Sequence, residues 1–257
     1  MKTKIIWMIY TIALLSFLYI PIFMMVIQSF NNSKYLTEWK GFTLKWYIKL
    51  FESNEVWLSF INSFTIALAS ALTSTFLGIT LAYTYIRSKS KVYDFLDIAM
   101  YTPIIIPEIA EAVSLALFFY LSNISFGWYT VFIGHTAFNI AFAYFTLKAQ
   151  LSLISKNVED AALILGAKPI KVLFSVLLPI AMPAIIASLI ITFTLSFDDF
   201  IKSVFTTEPG FPLLPILIWT RAARARATPD LNALATIMIT ISLCLASLYT
   251  YYMYRRS

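Results

Sequence analysis

The stretch VEDAALILGAKPIKVLFSVLLPIAMPAI, from Val158 to Ile185, places a polar segment between two apolar parts of the chain. It opens with two adjacent acids and two alanines, and a lone glycine, Gly166, follows. The segment then becomes amphipathic and ends in two prolines, Pro179 and Pro183. The character of the flanking apolar runs bears on whether this segment is an ordinary surface loop or a specialised element.

The composition is typical of an integral membrane protein. Of the 257 residues, 60% are hydrophobic and 12% are charged, whereas soluble domains contain about 25% charged residues. The mean hydropathy is +0.80. The net charge of +6 suits loops that face anionic lipid, and the pattern does not favour nucleic acid. A single cysteine and a single histidine exclude an internal disulfide and argue against a metal site.

The apolar runs predict an all-α, polytopic membrane protein with six transmembrane helices. A spanning helix needs about 20 apolar residues. Between Glu111 and Lys148 lie 36 uncharged residues with a turn-like SNISFGW among them. Two spans do not fit there, so the first must begin near Phe95, which places Glu108 and Glu111 inside the bilayer. With this length rule the spans cover about 7–29, 60–86, 95–121, 128–148, 180–201 and 231–253.

An even number of spans places both termini on one side of the membrane. With cytoplasmic termini, the inner segments carry 11 Lys and Arg residues and the outer segments carry eight, a weak bias in the expected direction. The cluster of Arg221, Arg224 and Arg226, in a predicted outer loop, is the main exception. The uncharged run 5–33 is too long for a signal peptide, so we interpret it as a retained span. Residues 1–257 are predicted to form one membrane domain.

Residues 41–53 (GFTLKWYIKLFES) have helical spacing of apolar residues with lysines between them. Two interpretations stay open for this segment. It forms an amphipathic helix at the outer membrane interface, or it packs as a lid over the helix bundle. The apolar residues concerned are Leu44, Tyr47, Ile48 and Phe51.

The polar segment between the fourth and fifth spans, residues 149–179, suits two short helices separated by a turn. Asn157 is placed to cap the first helix, with Glu159 and Asp160 near the positive end of its dipole. Gly166 permits a turn with a positive φ.

Pro169 suits the first turn of the second helix, whose apolar face consists of Ile170, Leu173, Phe174 and Leu177. Ala161 and Ala162 offer a small, close-packing surface on the first helix. A helix–turn–helix segment with an exposed tip of small residues is suited to docking into a groove of another protein.

This segment resembles the EAA loop of ABC importer permeases. In that pattern an acid and two alanines are followed by three residues, a glycine, a spacer and a hydrophobic-x-Leu-Pro ending. The matching positions here are Asp160, Ala161, Ala162, Gly166 and Pro179. The resemblance implies a coupling helix that sits in a cleft of a cytoplasmic ATPase. Asp160 departs from the family's usual glutamate, and we expect the adjacent Glu159 to compensate. A merely structural loop is the alternative.

Other stretches resemble the permeases of spermidine/putrescine importers. They are YIPIFMMVIQSFNNS followed by GFTLKWY, PEIAEAVSL (107–115), FTLSFDDF (193–200) and PDLNALATI (229–237). The resemblance implies a multi-pass subunit of a polyamine importer in the bacterial inner or cytoplasmic membrane. The implied partners are a second related permease, two copies of an ABC ATPase and an external polyamine-binding protein. It implies no cofactor in this chain, with ATP and Mg²⁺ held by the ATPase.

Acids that fall within or at the end of predicted spans point to a path for a cation. They are Glu108, Glu111, Asp198 and Asp199. An ionisable group near the bilayer centre costs about 2.5–3.5 kcal/mol, so keeping these acids predicts a function. Aromatic residues are close in sequence, and their faces attract amines. Pro103 and Pro107 predict that the third span is kinked or begins anew.

Structural roles for the same acids stay open. Asp198 and Lys202 are spaced i,i+4, and one alternative is that they only neutralise each other. Glu108 follows a proline, and the alternative for it is a cap on a broken helix. The alternative for Glu111 is burial against a basic residue of the partner permease.

The motif content favours a transport subunit over an enzyme. The sequence has no Walker-type glycine loop, so an ATP-driven step needs a partner, and it shows no Ser/His/Asp set and no HExxH. Two alternatives remain besides the polyamine importer: a proton-coupled secondary transporter of amines that uses Glu108 and Glu111, and a permease of the same family for another solute. A secondary transporter has no ATPase to engage, so the polar segment favours an ATP-driven importer.

Overall fold

The computed structural model describes residues 2–33, 38–88, 90–224 and 228–254, and most of these residues are helical. An isolated antiparallel bridge joins Asn31 and Phe42. The helices are α1 (Lys2–Ser29), α2 (Lys45–Phe51), α3 (Asn54–Arg87), α4 (Lys91–Ala99), α5 (Thr102–Ile105), α6 (Glu108–Leu121), α7 (Trp128–Leu151), α8 (Lys156–Ile164), α9 (Pro169–Val172), α10 (Leu178–Phe197), α11 (Ile201–Thr206), α12 (Leu214–Arg224) and α13 (Pro229–Tyr254).

Five helical stretches are long and apolar enough to cross a membrane, and a bent pair of helices makes a sixth crossing if it is one span. The chain is therefore an all-α, multi-pass membrane protein, as the sequence predicted. The five stretches are Thr3–Ser29, Asn54–Arg87, Trp128–Leu151, Pro169–Phe197 and Pro229–Tyr251.

The bent pair lies where the sequence predicted a kinked third span. Lys91–Ile105 and Glu108–Leu121 meet at an angle of 108°. Between them Ile106 is extended, with φ −70° and ψ 135°, because a residue before proline is driven out of the helical region. Pro107 then becomes the N-cap of α6, so a new helix begins at Glu108.

The fifth span differs from its predicted bounds of 180–201 at both ends. The helix already begins at Pro169, and it runs without a break to Phe197. The second helix of the polar segment was expected to be short, and that expectation is wrong. A π-helical segment, Leu173–Leu177, joins α9 to α10, and Leu178 N–H donates to the carbonyl of Leu173. A π turn accommodates Pro179, which has no N–H to donate within the helix.

The chain divides into two compact units. The first consists of the residues up to Leu58 together with Leu217–Leu243. In it α2 is tied to the end of α1 by a 2.6 Å hydrogen bond between the hydroxyls of Ser29 and Tyr47. Most of the apolar face predicted for residues 41–53 is exposed, at Leu44, Ile48 and Phe51. Both the interfacial and the lid interpretations stay predictions.

The arginine cluster of the sequence falls partly in the same unit. Arg221 forms an ion pair with Glu55 at 2.6 Å, and Asp230 lies 4.0 Å away. Helix α12 ends at Arg224. The side chain of Arg224 and all of Arg226 lie outside the described residues.

The second unit consists of Ser59–Ile216 and the residues from Cys244 onward, and α7 lies at its core. Gly78 of α3 lies so close to α7 that a Cβ atom there would come within 2.7 Å of the Ala143 Cβ. Small residues permit this approach of two backbones inside a membrane. The amide of Asn139 on α7 donates to the Ser70 hydroxyl at 3.0 Å and to the Thr192 carbonyl at 3.1 Å, which ties α7 to α3 and α10.

Candidate functional site

A buried lysine lies at the centre of the acids that the sequence singled out. Lys202, on α11, is 1% exposed. Its ammonium lies 2.8 Å from Oδ2 of Asp199. The other oxygen of Asp199 accepts the backbone N–H of Lys202, also at 2.8 Å. Asp199 therefore does two things: it accepts a backbone N–H from the first turn of the helix that carries Lys202, and it neutralises the lysine.

Glu108 reaches the same ammonium from α6 and forms a second ion pair with it. It is the first residue of α6 rather than its N-cap, so the capping alternative is wrong. Lys202 also lies over the ring of Phe138, with its Nζ 3.9 Å from the ring centroid. Phe138 is ten residues into α7, about 15 Å along its axis. The lysine thus meets α7 near the middle of a membrane-spanning helix.

The described ion pairs of Lys202 are with Asp199 and Glu108. The i,i+4 pairing with Asp198 is therefore not the one that the structure forms. Asp198 is exposed and caps the C-terminal end of α10. The sequence held a usable signal for the observed pair, since Asp199 and Lys202 are spaced i,i+3.

Glu111, one turn after Glu108, adds a third carboxyl group. It interacts electrostatically with Lys202, Glu108 and Asp199. Its Oε2 atom is buried and has no hydrogen-bond partner among the described residues. Three carboxyl groups therefore lie around one ammonium, and Oε2 of Glu111 is left without a described hydrogen-bond partner.

His135 completes the polar cluster and was not expected in it. The buried imidazole bonds the hydroxyl of Ser196 through Nδ1 at 2.7 Å and that of Ser203 through Nε2 at 3.2 Å. Asp199 lies 4.0 Å from Nε2. The described residues contain no group of His, Cys, Asp and Glu that could hold a metal ion. We infer that His135 fixes the positions of α10 and α11 relative to α7.

The polar segment folds into α8, a glycine turn and α9. Ser155 is the N-cap of α8, and its hydroxyl accepts the N–H of Asn157 at 3.3 Å. The prediction that Asn157 caps this helix is therefore wrong by two residues. Pro169 begins α9 as predicted. Pro179 lies in the first turn of α10.

Gly166 ends α8 with a φ of +85°, as the sequence predicted. Its N–H donates to the Leu163 carbonyl at 2.9 Å, and Ala167 N–H donates to the Ala162 carbonyl at 3.1 Å. These two bonds form the Schellman motif, which favours glycine because the residue adopts the left-handed conformation.

The tip of the segment is apolar and unprotected. Ile164 and Leu165 are 85% and 87% exposed. Asp160 and Ala161 are exposed on α8 and Ala162 is half-buried. Glu159, in contrast, is buried and bonds within the chain, so its expected role of compensating for Asp160 toward a partner is not supported. A large apolar tip rimmed by polar groups is typical of a protein interaction site.

The described residues thus combine several helices of membrane-spanning length, a bent helix pair and a polar segment with an exposed apolar tip. A family profile described as binding-protein-dependent transport system inner membrane component matches residues 74–257, more than half of the chain. The chain belongs to this family.

Curated relatives narrow the class. The chain is 33% identical over 231 residues to the spermidine/putrescine transport system permease protein PotC of Escherichia coli (strain K12), covering 90% of the chain and 87% of the relative. It is 35% identical to PotC of Haemophilus influenzae, covering 91% and 90%. It is 34% identical to the putrescine transport system permease protein PotI of E. coli (strain K12), covering 87% and 82%. The homologues are transport permeases rather than enzymes, as predicted.

Solved structures support the fold. The chain matches a bacterial ABC transporter involved in alginate import, with a TM-score of 0.73, 15% identity, and coverage of 99% of the chain and 97% of that structure. It also matches the MetNI methionine ABC transporter, with a TM-score of 0.60 and 16% identity, over 80% of the chain and 99% of that structure. Identities this low establish the shared fold alone.

The Lys202 ion pairs generate a stability prediction. In Lys202→Met, Asp199 is left buried without its partner, and we expect the free energy of unfolding to fall by about 3–5 kcal/mol. The measurement is the apparent melting temperature and the yield of the purified protein. Lys202→Arg keeps the charge and serves as the control. A Lys202→Met protein that melts with the wild type would contradict the assignment.

Proposed function

We propose that this chain is a permease subunit of an ATP-driven importer of polyamines, with spermidine or putrescine as the substrate. The observation that carries the proposal is the 33–35% identity to PotC and PotI, which extends over about 90% of the chain. The family profile matches residues 74–257, and this range includes both α8 and the acids around Lys202.

The acid cluster supports a cationic substrate. Lys202 neutralises part of the negative charge of Glu108, Glu111 and Asp199, and Glu111 keeps a buried oxygen without a partner among the described residues. A polyamine ammonium is a suitable counter-ion for that oxygen. The aromatic face of Phe138 already lies against one ammonium, and such faces attract amines.

The coupling segment supports an ATPase partner. Its apolar tip at Ile164 and Leu165 is exposed, while Asp160 is exposed on the adjacent helix. We infer that this tip and Asp160 dock into a cleft of a cytoplasmic ABC ATPase. The whole importer then contains a second homologous permease, two ATPase copies that hold ATP and Mg²⁺, and an external polyamine-binding protein. This chain itself needs no cofactor.

The same proposal sets the orientation. If α8 docks to a cytoplasmic ATPase, the polar segment after the fourth span lies on the cytoplasmic side. With six spans, both termini then lie on that side too. This orientation agrees with the weak bias of basic residues in the sequence.

A permease for another solute is the second candidate, since the alginate importer has the same fold. A proton-coupled secondary transporter that uses Glu108 and Glu111 is disfavoured by the family to which the chain belongs, and it does not account for the exposed apolar tip at the end of α8.

Substrate uptake is the direct test. We expect the assembled transporter to take up labelled spermidine or putrescine in an ATP-dependent manner, and to leave maltose and sulfate outside. Uptake is measured in vesicles that contain the complete complex. Transport of only a neutral or anionic solute would reject the polyamine assignment, and uptake that persists without ATP would favour the secondary transporter.

Neutralising substitutions of the four acids should lower uptake, but only some of them should also lower the yield of the assembled complex. Glu111→Gln removes a charge but no described hydrogen bond of Oε2, so we expect normal complex yield and lower uptake. The loss of a charge-assisted hydrogen bond costs about 1–3 kcal/mol. The occupancy of the path by the cation should therefore fall about five- to more than a hundred-fold. Asp199→Asn breaks the pair with Lys202 and should also lower the yield. Glu108→Gln and Asp198→Asn complete the set. If Glu111→Gln takes up substrate as the wild type does, Glu111 does not line the substrate path.

Docking of the ATPase should depend on α8 and its turn. Asp160→Lys reverses the exposed charge, and Gly166→Pro is incompatible with a φ of +85° because proline holds φ near −65°. We expect both variants to lose ATPase during co-purification and to lose substrate-stimulated ATP hydrolysis. Lys168→Ala, at an exposed residue of the same segment, is the control. If both variants bind and stimulate the ATPase as the wild type does, α8 is not the coupling helix.

A further inference from the structure

The residue that anchors α8 is a carboxylate. Glu159 is the buried residue of this helix, and it is 7% exposed. Its charged neighbours Lys156 and Asp160 are exposed. A short surface helix is normally held by an apolar stripe, so a buried acid in that position needs an explanation.

Arg87, in the last turn of α3, provides the partner. Its Nη2 and Nε atoms lie 2.5 and 2.6 Å from Oε1 of Glu159. The hydroxyl of Tyr83, one turn earlier on α3, donates to Oε2 at 3.2 Å. Two residues of one transmembrane helix thus bind both oxygens of one carboxylate on α8.

Arg87 also binds the chain just before α8. Its Nη2 donates to the backbone carbonyl of Ile154 at 3.1 Å. Ile154 lies two residues before α8 and Glu159 lies in its first turn, so a single guanidinium contacts both the helix and the chain that leads into it. This arrangement fixes the direction of α8 relative to α3, and not only the distance between them.

A simple stabilising role accounts poorly for this choice of residues. Replacing a buried ion pair by apolar residues of similar volume is often neutral or stabilising, so packing alone would hold α8 equally well. The planar guanidinium adds directional bonds with a defined geometry. Direction matters where the movement of one helix must set the movement of another.

We propose that Arg87 and Glu159 form the mechanical link through which movement of the docked α8 is passed to α3. Arg87 is in this sense a positioning residue for transport, assisted by Tyr83. The inference rests on the proposed docking of α8 to the ATPase. It goes further by naming the transmembrane helix that receives the movement.

The test compares transport with ATP hydrolysis in the complete reconstituted complex. The double variant Arg87→Met/Glu159→Met replaces the pair by an apolar contact. We expect normal complex yield, normal ATPase binding and continued hydrolysis, but less labelled spermidine transported for each ATP hydrolysed. The expected fall is about five- to 150-fold, the usual size of a coupling between two sites. Lys156→Met, at an exposed charge of the same helix, should leave this ratio unchanged.

A second variant covers the case in which the double variant does not assemble. Arg87→Lys keeps the charge but has one ammonium in place of the fork, so it cannot reproduce the bonds to Glu159 and Ile154 together. It should assemble and show a reduced ratio. A wild-type ratio in either variant, when it assembles, would overturn the link. A defect in co-purification of the ATPase with Asp160→Lys, but not with Arg87→Lys, separates docking from transmission.

Discussion

The arrangement of the transmembrane helices around the candidate site depends on the neutralisation of one ammonium in the interior of the protein. Lys202 is almost fully buried, and a charge in the bilayer is costly unless it is paired. Asp199 pairs with it from the break between α10 and α11, and Glu108 pairs with it from the start of α6. The bend before α6 and the end of α10 are thereby brought to one point beside the middle of α7.

This pairing accounts for the irregularities nearby. A straight third span would not start a helix at Glu108, and the 108° bend places that residue in the first turn of α6. The fifth span stops at Phe197 so that Asp199 can accept a backbone N–H from the first turn of α11 and bind the lysine that follows. Broken helices at membrane depth are tolerated where they are buried or line a cavity, and such breaks are frequent at the substrate sites of transporters.

Much of the fold could be predicted from the sequence because it depends on local patterns. Run lengths located the spans, Pro107 located the break in the third one, and Gly166 located the left-handed turn after α8. The pairing of Lys202 could be predicted only in part. The sequence pointed to the neighbouring Asp198 as its partner, whereas Glu108 lies 94 positions away. The contact of Arg87 with Glu159 spans 72 positions, and no periodicity within a single helix could reveal it.

The unbroken helix from Pro169 to Phe197 has a geometric consequence of its own. Its 29 residues give a rod of about 43 Å at about 1.5 Å per residue, with the polar segment that carries α8 at one end and the Lys202 cluster just beyond the other. A lever of that length magnifies small rotations: tilting it by about 5° about one end displaces the other by about 4 Å. That displacement exceeds the length of a hydrogen bond. A change of a few degrees in the direction of this helix is therefore large enough to separate or join charged groups at its far end.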